Sequence, residues 1–583
     1  MTKRELPMRA AEESSDAAHY PLATSHYPLT TLNALALVLA AVWLRSHALG
    51  NIPGVNGDEA WYGVEAWRML HDATVDWHTP TGNPLNPLLI GPLALLHLWL
   101  PPSIVLLRSV ALASGLAALA INWLCCRWVF DRRTAAISTV ALAILPINIA
   151  YSRFAWDASQ SLAATLPVVY LALAAVRYPD RFGRWIAASI LALAIAFWVH
   201  PTNIFAGTAI LVACAVRRRW TETNNHEARM VDEKVPRASS WFTRASCFAM
   251  LALAGVLSAT WVHTAHWAQG PLPGRIAERL GDLGELVQPS DLPPASVLYP
   301  RLFTGGTVYR YIAGSRSWFE WPLPAELDGW GLDVGLFWAA VFGSVWLLWR
   351  SWRLCDGRLR FRTQTDGALL ATWALQLAAF LLVAGPRAMA PGQERFAICL
   401  IGPTVLLLAR AATLACEAAS TRWRVVLAAA TLAGWPLLAD FHAQYFQFIE
   451  QTGGQSHLTF RTAAVEPKQA ALQYILDHAE RKAEGGRGKA DVLIVCSEWW
   501  NRWPIRYLAL PDRGVRVVDP EEIASSDDFR RALAQRRVWL VEFCNTEAQR
   551  QVESPLAARK ALCRQFPDYA GRPLLDVFHA VGR

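Results

Sequence analysis

Gly54-Val55-Asn56-Gly57-Asp58-Glu59-Ala60-Trp61-Tyr62 follows closely on an apolar run from about Thr31 to Leu49. That run is long enough to cross a bilayer core of about 30 Å, and a pair of acids where the chain leaves lipid points to chemistry at the membrane surface. The arrangement recurs at Asp157, in Tyr151-Ser152-Arg153-Phe154-Ala155-Trp156-Asp157, an isolated acid between two further apolar runs. Two carboxylates facing one cavity can form a catalytic site.

Outward from these two points, apolar runs recur at about 104–126, 134–150, 158–176, 184–199, 202–216, 245–267, 332–349, 367–385, 396–413 and 424–440. With the first run they predict about eleven spanning helices. Residues 84–100 are also apolar, but Pro84, Pro87 and Pro92 interrupt them, so an interfacial or re-entrant piece is expected there. Composition agrees: 17% of residues are charged, against about 25% in soluble domains. The chain reads as a polytopic α-helical membrane protein. A net charge of +8 could suggest nucleic acid, but the arginines gather in short loops between apolar runs, which the positive-inside rule explains, so no nucleic-acid partner is expected. The polar residues 1–26 precede an apolar run with no small-residue cleavage site after it, so that run reads as a retained anchor.

Sidedness follows from charge. With the N-terminus (Lys3, Arg4, Arg9) in the cytoplasm and 84–100 not crossing, every dense arginine cluster is inward: Arg127/Arg132/Arg133, Arg177/Arg181/Arg184, Arg217/Arg218/Arg219, Arg350/Arg353/Arg358/Arg360/Arg362 and Arg422/Arg424. If 84–100 crossed, Asp58 and Asp157 would lie on opposite faces. The expected organisation is a cytoplasmic tail (1–30), a membrane domain (31–440) with outer loops 51–81 and 268–330, and an extracytoplasmic C-terminal domain (441–583), in the plasma (inner) membrane. In that last part the apolar runs shorten to strand length at 492–496, 515–518 and 538–542, a helical pattern spans 467–481 and Gly-rich 482–489 is a loop, which predicts a small α/β domain. The ten cysteines show no zinc-ligand spacing; one disulfide among Cys496, Cys544 and Cys563 is compatible with export.

Asp58 and Glu59 precede an amphipathic stretch, 61–70, so their ordinary role would be to cap a surface helix. Asp157 at an equivalent boundary and the aromatic company of Trp61, Tyr62, Trp67 and Trp156 favour a sugar-handling site, although Trp and Tyr also form interfacial belts. Arg108, Arg153, Arg387 and Arg395 lie at or near the outer face, where the charge rule disfavours them; an anionic ligand such as a lipid phosphate would account for this, as would ion pairing with neighbours such as Glu394. His200 ends an apolar run, where histidine is most often an interfacial hydrogen-bonder. The loop 301–330, with Gly305-Gly306, Tyr311 and Arg316, is a candidate lid. No phosphate-loop pattern surrounds those glycines, so nucleotide binding is not supported.

The order of these features resembles the membrane glycosyltransferases of the GT-C fold, in particular the protein O-mannosyltransferases and the aminoarabinose transferases that modify lipid A. The matching residues are Asp58-Glu59-Ala60 after the first span, Pro84-Leu85-Asn86-Pro87-Leu88, Leu107-Arg108-Ser109 entering the second span, Ser152-Arg153 and Asp157 after the third, and Glu394-Arg395-Phe396 with Pro403 late in the chain. They cover roughly residues 33–410; each is short, and their order and common side carry the resemblance. One departure is that many relatives have Lys-Pro-Pro where this chain has Asn83-Pro84 and Asn86-Pro87, so the lysine that the resemblance would place near the donor phosphate is missing.

The resemblance implies transfer of a sugar from a polyprenyl-phosphate donor to a lipid, glycan or protein acceptor arriving from outside. Asp58 would be the base, with Glu59 and Asp157 in the catalytic group. Arg153, Arg395, Arg108 and Arg387 would hold the donor phosphate. Trp61, Tyr62, His200 and Tyr311 would contact acceptor or sugar. Attack opposite the leaving group would invert the anomeric carbon. No cofactor is required by the sequence, and a divalent cation on Asp58 and Asp157 stays open. The rival reading is a transporter or flippase for a lipid-linked anion, since polar groups lining a membrane cavity serve transport equally well; the runs are nearly free of charge and show no inverted repeat.

Overall fold

The computed structural model describes residues 27–71, 75–80, 83–228, 241–264, 292–321, 331–353, 360–418, 431–483, 492–512, 514–523, 538–547 and 560–580. Among these, seven helices are long and apolar enough to cross a membrane: Ile104–Val129, Asp157–Arg177, Pro179–Val199, Ala245–Thr264, Leu332–Arg353, Gln364–Ala384 and Glu394–Glu417. The chain is a multi-pass helical membrane protein with a small sheet domain at its C-terminal end.

The count differs from about eleven for local reasons. The first run lies in the 20-residue helix α1 (Tyr27–Ser46), whose described side chains form the apolar stretch Thr31–Ser46. The run 134–150 is divided where Leu145 turns extended before Pro146, giving the helices Arg132–Ile144 and Pro146–Tyr151, since the residue before a proline is pushed out of the α region. The run 202–216 begins as a 3-10 segment, Pro201–Gly207, before an α-helix from Thr208 to Ala228. Part of 424–440, with the Arg422/Arg424 cluster, lies outside the described residues, as do 482–489 in part, 322–330 and most of the N-terminal tail.

Two helices form the centre of the bundle: in Glu394–Glu417 and Asp157–Arg177 the apolar windows are 83% and 78% buried, against 11% in Ala245–Thr264. Several polar side chains inside the bundle pair with one another, as a low-dielectric interior favours. Tyr170 donates to Asn122, which donates to Ser138 and Thr139, and Arg410 closes on Asp366 (2.7 and 3.1 Å) and Asp131 (3.1 Å). The arginine-bearing ends at Arg127, Arg177, Arg350 and Arg353 lie at the end of the bundle away from Asp58 and Asp157, because each span runs from one end to the other.

Two short helices lie at the Asp58 end. Helix α2 (Gly57–His71) begins with a capping box: Asn56 Oδ1 accepts from the Asp58 N–H (2.8 Å), and Glu59 Oε1 reaches back to the Asn56 N–H (2.8 Å). The cap is therefore Asn56, and the Asp58 side chain is free of that duty. Helix α3 (Pro87–His97) is the proline-broken segment, only 11 residues long; Asn86 caps it and donates to Gln160 Oε1 (2.7 Å).

The C-terminal region is an α/β layer. Strands β1 (Val492–Val495), β2 (Val515–Val518) and β3 (Val538–Phe543) are parallel; β4 (Lys560–Pro567) and β5 (Pro573–Ala580) add an antiparallel edge, giving the order β2-β1-β3-β5-β4. The first three are expected from their apolar runs; β4, exposed from Ala561 through Gln565, and β5 are not. Helices Pro467–Ala483 and Trp499–Ala509 pack on this sheet. Cys496, Cys544 and Cys563 are free thiols, so the disulfide considered above is not formed.

This domain is fastened to the loop after α1. Asn51 donates to Ala463 O (2.8 Å) and accepts from Thr462 (2.7 Å), and the Val55 N–H donates to Glu466, itself paired with buried Lys468. Gly54 lies so close to the segment 459–461 that a Cβ would come within 2.5 Å of Thr459 O. Only glycine allows that approach.

Candidate functional site

The site is assembled from helix ends. Asp157 opens the 3-10 turn that leads into one central helix, and its carboxylate accepts from the adjacent Ala158 N–H at 2.7 Å. Arg395 stands in the first turn leading into the other, Glu394–Glu417. His200 caps the 3-10 segment Pro201–Gly207 and its Nδ1 is 2.7 Å from Thr202 Oγ1. Asp58 and Tyr62, one helical turn apart on α2, share a face; the Tyr62 hydroxyl is turned to Asp157.

These groups feel one another. Burial raises the Asp58 carboxyl above the ordinary carboxylate range; Arg395 and a hydrogen bond from Trp499 oppose that shift, and Asp157 and Glu59 add to it. Burial and then the negative charges of Asp157 and Asp58 push the Tyr62 hydroxyl well above its ordinary value, so it is a neutral donor. Burial lowers His200, leaving a neutral imidazole near Asp157 and Arg395. Tyr311, in the π-helical turn Tyr309–Ala313, is held by burial at about 12 and lies edge-on to Phe460 at 5.1 Å.

Arg395 is half-buried over the Trp156 and Phe396 rings, 5.2 and 5.1 Å from their centroids. Its guanidinium forms no ion pair with Glu394, whose buried carboxylate instead accepts from Tyr151 (3.1 Å). Asp58, Asp157, Arg395, Tyr62, His200 and Tyr311 therefore gather at one end of the bundle.

Other predicted site residues are held elsewhere. Glu59 is fully buried and closed on Arg108. All five guanidinium N–H groups of Arg108 are taken, by both Glu59 oxygens and by the carbonyls of Leu49, Pro53 and Gly54, so no donor is left for a phosphate. Arg153 is also fully buried; it donates to the carbonyls of Leu44 and Arg45 at the end of α1 and of Ile52 in the loop that follows, and lies over the Phe446 ring at 4.7 Å. A cation on the open carbonyls of a helix C-terminus is a structural cap. Arg387 is exposed, in the 3-10 turn Pro386–Met389. Trp61 is buried in the cluster that joins α2 to α3 and the C-terminal domain, not open to a sugar. The candidate lid is anchored in its described part: Ser317 and the Trp318 N–H both donate to Asp440 (2.7 and 2.9 Å).

Three residues absent from the sequence reading, Gln160, Ser114 and Trp499, belong to the neighbourhood. Gln160, one turn beyond Asp157, bridges Asn86, Leu88 O and Ser114. Beside it lies a cavity of about 330 Å³ walled by Leu88, Ala163, Ala164, Pro167, Ile195 and Val199, apolar apart from Gln160 and Ser114; Leu88 and Ile195 are partly exposed, so it opens on the flank of the bundle. The third is Trp499, whose indole N–H donates to Asp58 Oδ1 at 3.0 Å from the C-terminal domain. Among the described residues no group of three or more His, Cys, Asp or Glu is gathered for a metal ion.

No family model and no curated protein matches this chain. Among solved structures it is similar to two membrane glycosyltransferases of the GT-C fold. ArnT from Cupriavidus metallidurans bound to undecaprenyl phosphate is 14% identical, with 94% of this chain and 97% of that one covered and a TM-score of 0.45. The oligosaccharyltransferase of Archaeoglobus fulgidus in its apo form is 14% identical, with 88% and 69% covered and a TM-score of 0.42; the same enzyme tethered to an acceptor peptide containing the NVT sequon gives 0.43 at 14% identity, with 89% and 69% covered. At such identity few side chains are shared, and the function rests on this chain's own residues.

Proposed function

We propose that this protein is a glycosyltransferase that moves a sugar from a polyprenyl-phosphate donor to an acceptor hydroxyl at the membrane face carrying Asp58. The observation that carries this reading is the convergence of two carboxylates, Asp58 and Asp157, with the half-buried Arg395 at the starts of the two central helices. The partial positive charge of those helix starts and the Arg395 guanidinium suit an anionic lipid head. The apolar cavity ending at Gln160 suits the first isoprene units of its tail.

Asp58 accepts the proton of the acceptor hydroxyl as its oxygen bonds to the anomeric carbon. The bond from that carbon to the phosphate oxygen breaks on the opposite side, inverting the centre, and the lipid phosphate leaves with the electron pair. Arg395 stabilises the charge that develops there. Asp157, with the neutral Tyr62 hydroxyl beside it, orients the acceptor or sugar hydroxyls, and His200 and Tyr311 border the same space. The arginine-bearing ends of the spans, opposite the site, support a site facing away from the cytoplasm, with the N-terminus inside and the C-terminal domain outside the inner membrane. A divalent cation would find its protein ligands in Asp58 and Asp157.

The test is transfer by purified protein in lipid nanodiscs supplied with radiolabelled polyprenyl-phosphate sugars and candidate acceptors, with mass spectrometry of the cell's glycolipids and glycoproteins to identify the product. Transfer by the wild type and none by Asp58→Asn supports the reading; translocation of the lipid with no transfer would replace it by transport.

A further inference from the structure

We propose that Trp499 is a positioning residue for Asp58, and that the docked C-terminal α/β domain thereby completes the site in the membrane domain. The inference rests on the functional reading above only in taking Asp58 as the reacting carboxylate.

Three observations carry it. The first is the hydrogen bond: the Trp499 indole N–H reaches Asp58 Oδ1 at 3.0 Å across 441 residues of chain. Among the described residues it is the one side-chain donor bonded to that carboxylate, and it leaves the second oxygen free to take a proton. The second is the fit of the two helices. A Cβ on Gly57 would lie 2.5 Å from Cδ1 and 2.7 Å from Nε1 of Trp499, and one on Gly63 would lie 2.5 Å from the Tyr507 ring. Helix α2 thus presents glycine where the helix Trp499–Ala509 presents the rings of Trp499 and Tyr507. The third is rigidity behind the indole. Its ring packs on Trp503 at 5.2 Å, Tyr507 donates to Ser103 O at the start of the helix Ile104–Val129, and the loop before α2 is bonded to residues 460–466. The indole is therefore held from the domain side while the carboxylate is held from the membrane side.

An N–H on an ionised carboxylate favours its charged form, and fixing one oxygen limits rotation of the base, which is the geometric requirement of general-base catalysis. Loss of the bond has two separable consequences. The carboxylate takes up protons at higher pH, and its productive orientation is populated less often.

The test uses the full-length protein in nanodiscs and two variants. Trp499→Phe keeps a ring and removes the N–H; Gly57→Ala keeps the indole and displaces it. One readout needs no substrate: carbodiimide labels protonated carboxyls, and peptide mass spectrometry follows labelling of Asp58 against pH. The other is the pH dependence of transfer. In both variants the labelling midpoint and the acid limb of kcat are expected to move up together by about half to one pH unit, with kcat down roughly tenfold and KM for the lipid donor changed less than twofold. Unchanged labelling and pH profiles in folded Trp499→Phe overturn the proposal, and if that variant does not fold, the same result in Gly57→Ala does so. If the wild type transfers no sugar, the functional reading fails while the labelling curves still decide whether Trp499 positions Asp58.

Discussion

Arg108 closes on Glu59 through hydrogen bonds of 3.0 and 2.6 Å, both side chains fully buried, while the adjacent Asp58 turns to the site. Successive helix positions are rotated by about 100°, so neighbours in sequence face different surroundings. The acidic doublet is therefore one structural acid and one candidate base. Glu59 also receives the N–H groups of Asn56 and Ala155 (2.8 and 3.3 Å), which links α2, the helix Ile104–Val129 that carries Arg108, and the turn before Asp157.

Glu59→Gln leaves the Arg108 charge buried without its counter-charge, which typically costs about 3–5 kcal/mol. The expected phenotype is loss of folded protein and a lower melting temperature, measured by fluorescence-detected size exclusion after heating. Asp58→Asn should leave the melting curve within about 1 kcal/mol of the wild type and abolish transfer. Equal melting losses in the two variants would contradict the division of roles.

Asp58 is raised by burial, against the opposing pull of Arg395 and Trp499. A base must be ionised to act, so activity rises with pH through the Asp58 titration, and the raised value puts that acid limb above the ordinary carboxylate range of about 4. A pH profile of kcat measured with the lipid donor saturating checks this; activity already on its plateau at pH 4 would remove Asp58 from the role.

Arg395→Ala removes the half-buried cation beside both site carboxylates. We expect use of the lipid-phosphate donor to fall roughly a hundredfold in kcat/KM, the scale of losing one electrostatic contact in a transition state, with a smaller effect on acceptor KM. Arg387→Ala, at an exposed position, is the contrasting substitution. Steady-state kinetics with donor and acceptor varied separately distinguish the two.

Gly63→Ala places a methyl 2.5 Å from the Tyr507 ring, whereas a Cβ on Gly91 of α3 would meet nothing within 4 Å. The first should destabilise by about 1–3 kcal/mol through overpacking at the domain junction; the second should be neutral or slightly stabilising, since alanine is the better helix former. Limited proteolysis between the membrane and C-terminal domains, together with melting temperature, measures both. Equal sensitivity of the two variants would argue against a tight junction.

The membrane class, most of the long apolar helices and three of the five strands were legible because hydropathy and alternation are local properties of the chain. Asp58, Asp157 and Arg395 were legible for a related reason: a charge at the edge of an apolar run stands out without any knowledge of its neighbours. Pro146 divides a run that length alone reads as continuous, the run 202–216 opens as a 3-10 segment rather than an α-helix, and the capping box of Asn56 is hidden behind the more conspicuous acids.

Sequence by itself determined which segments are apolar enough for lipid and which charged residues border them. Tertiary structure alone decided that Arg108 and Arg153 stay inside as partners of Glu59 and of the carbonyls ending α1, and that Asp58 meets Trp499 from a domain hundreds of residues away. The reason is physical. Burial of an apolar run follows from its own composition, but whether a charge is free or paired depends on the groups that folding brings within about 3 Å of it.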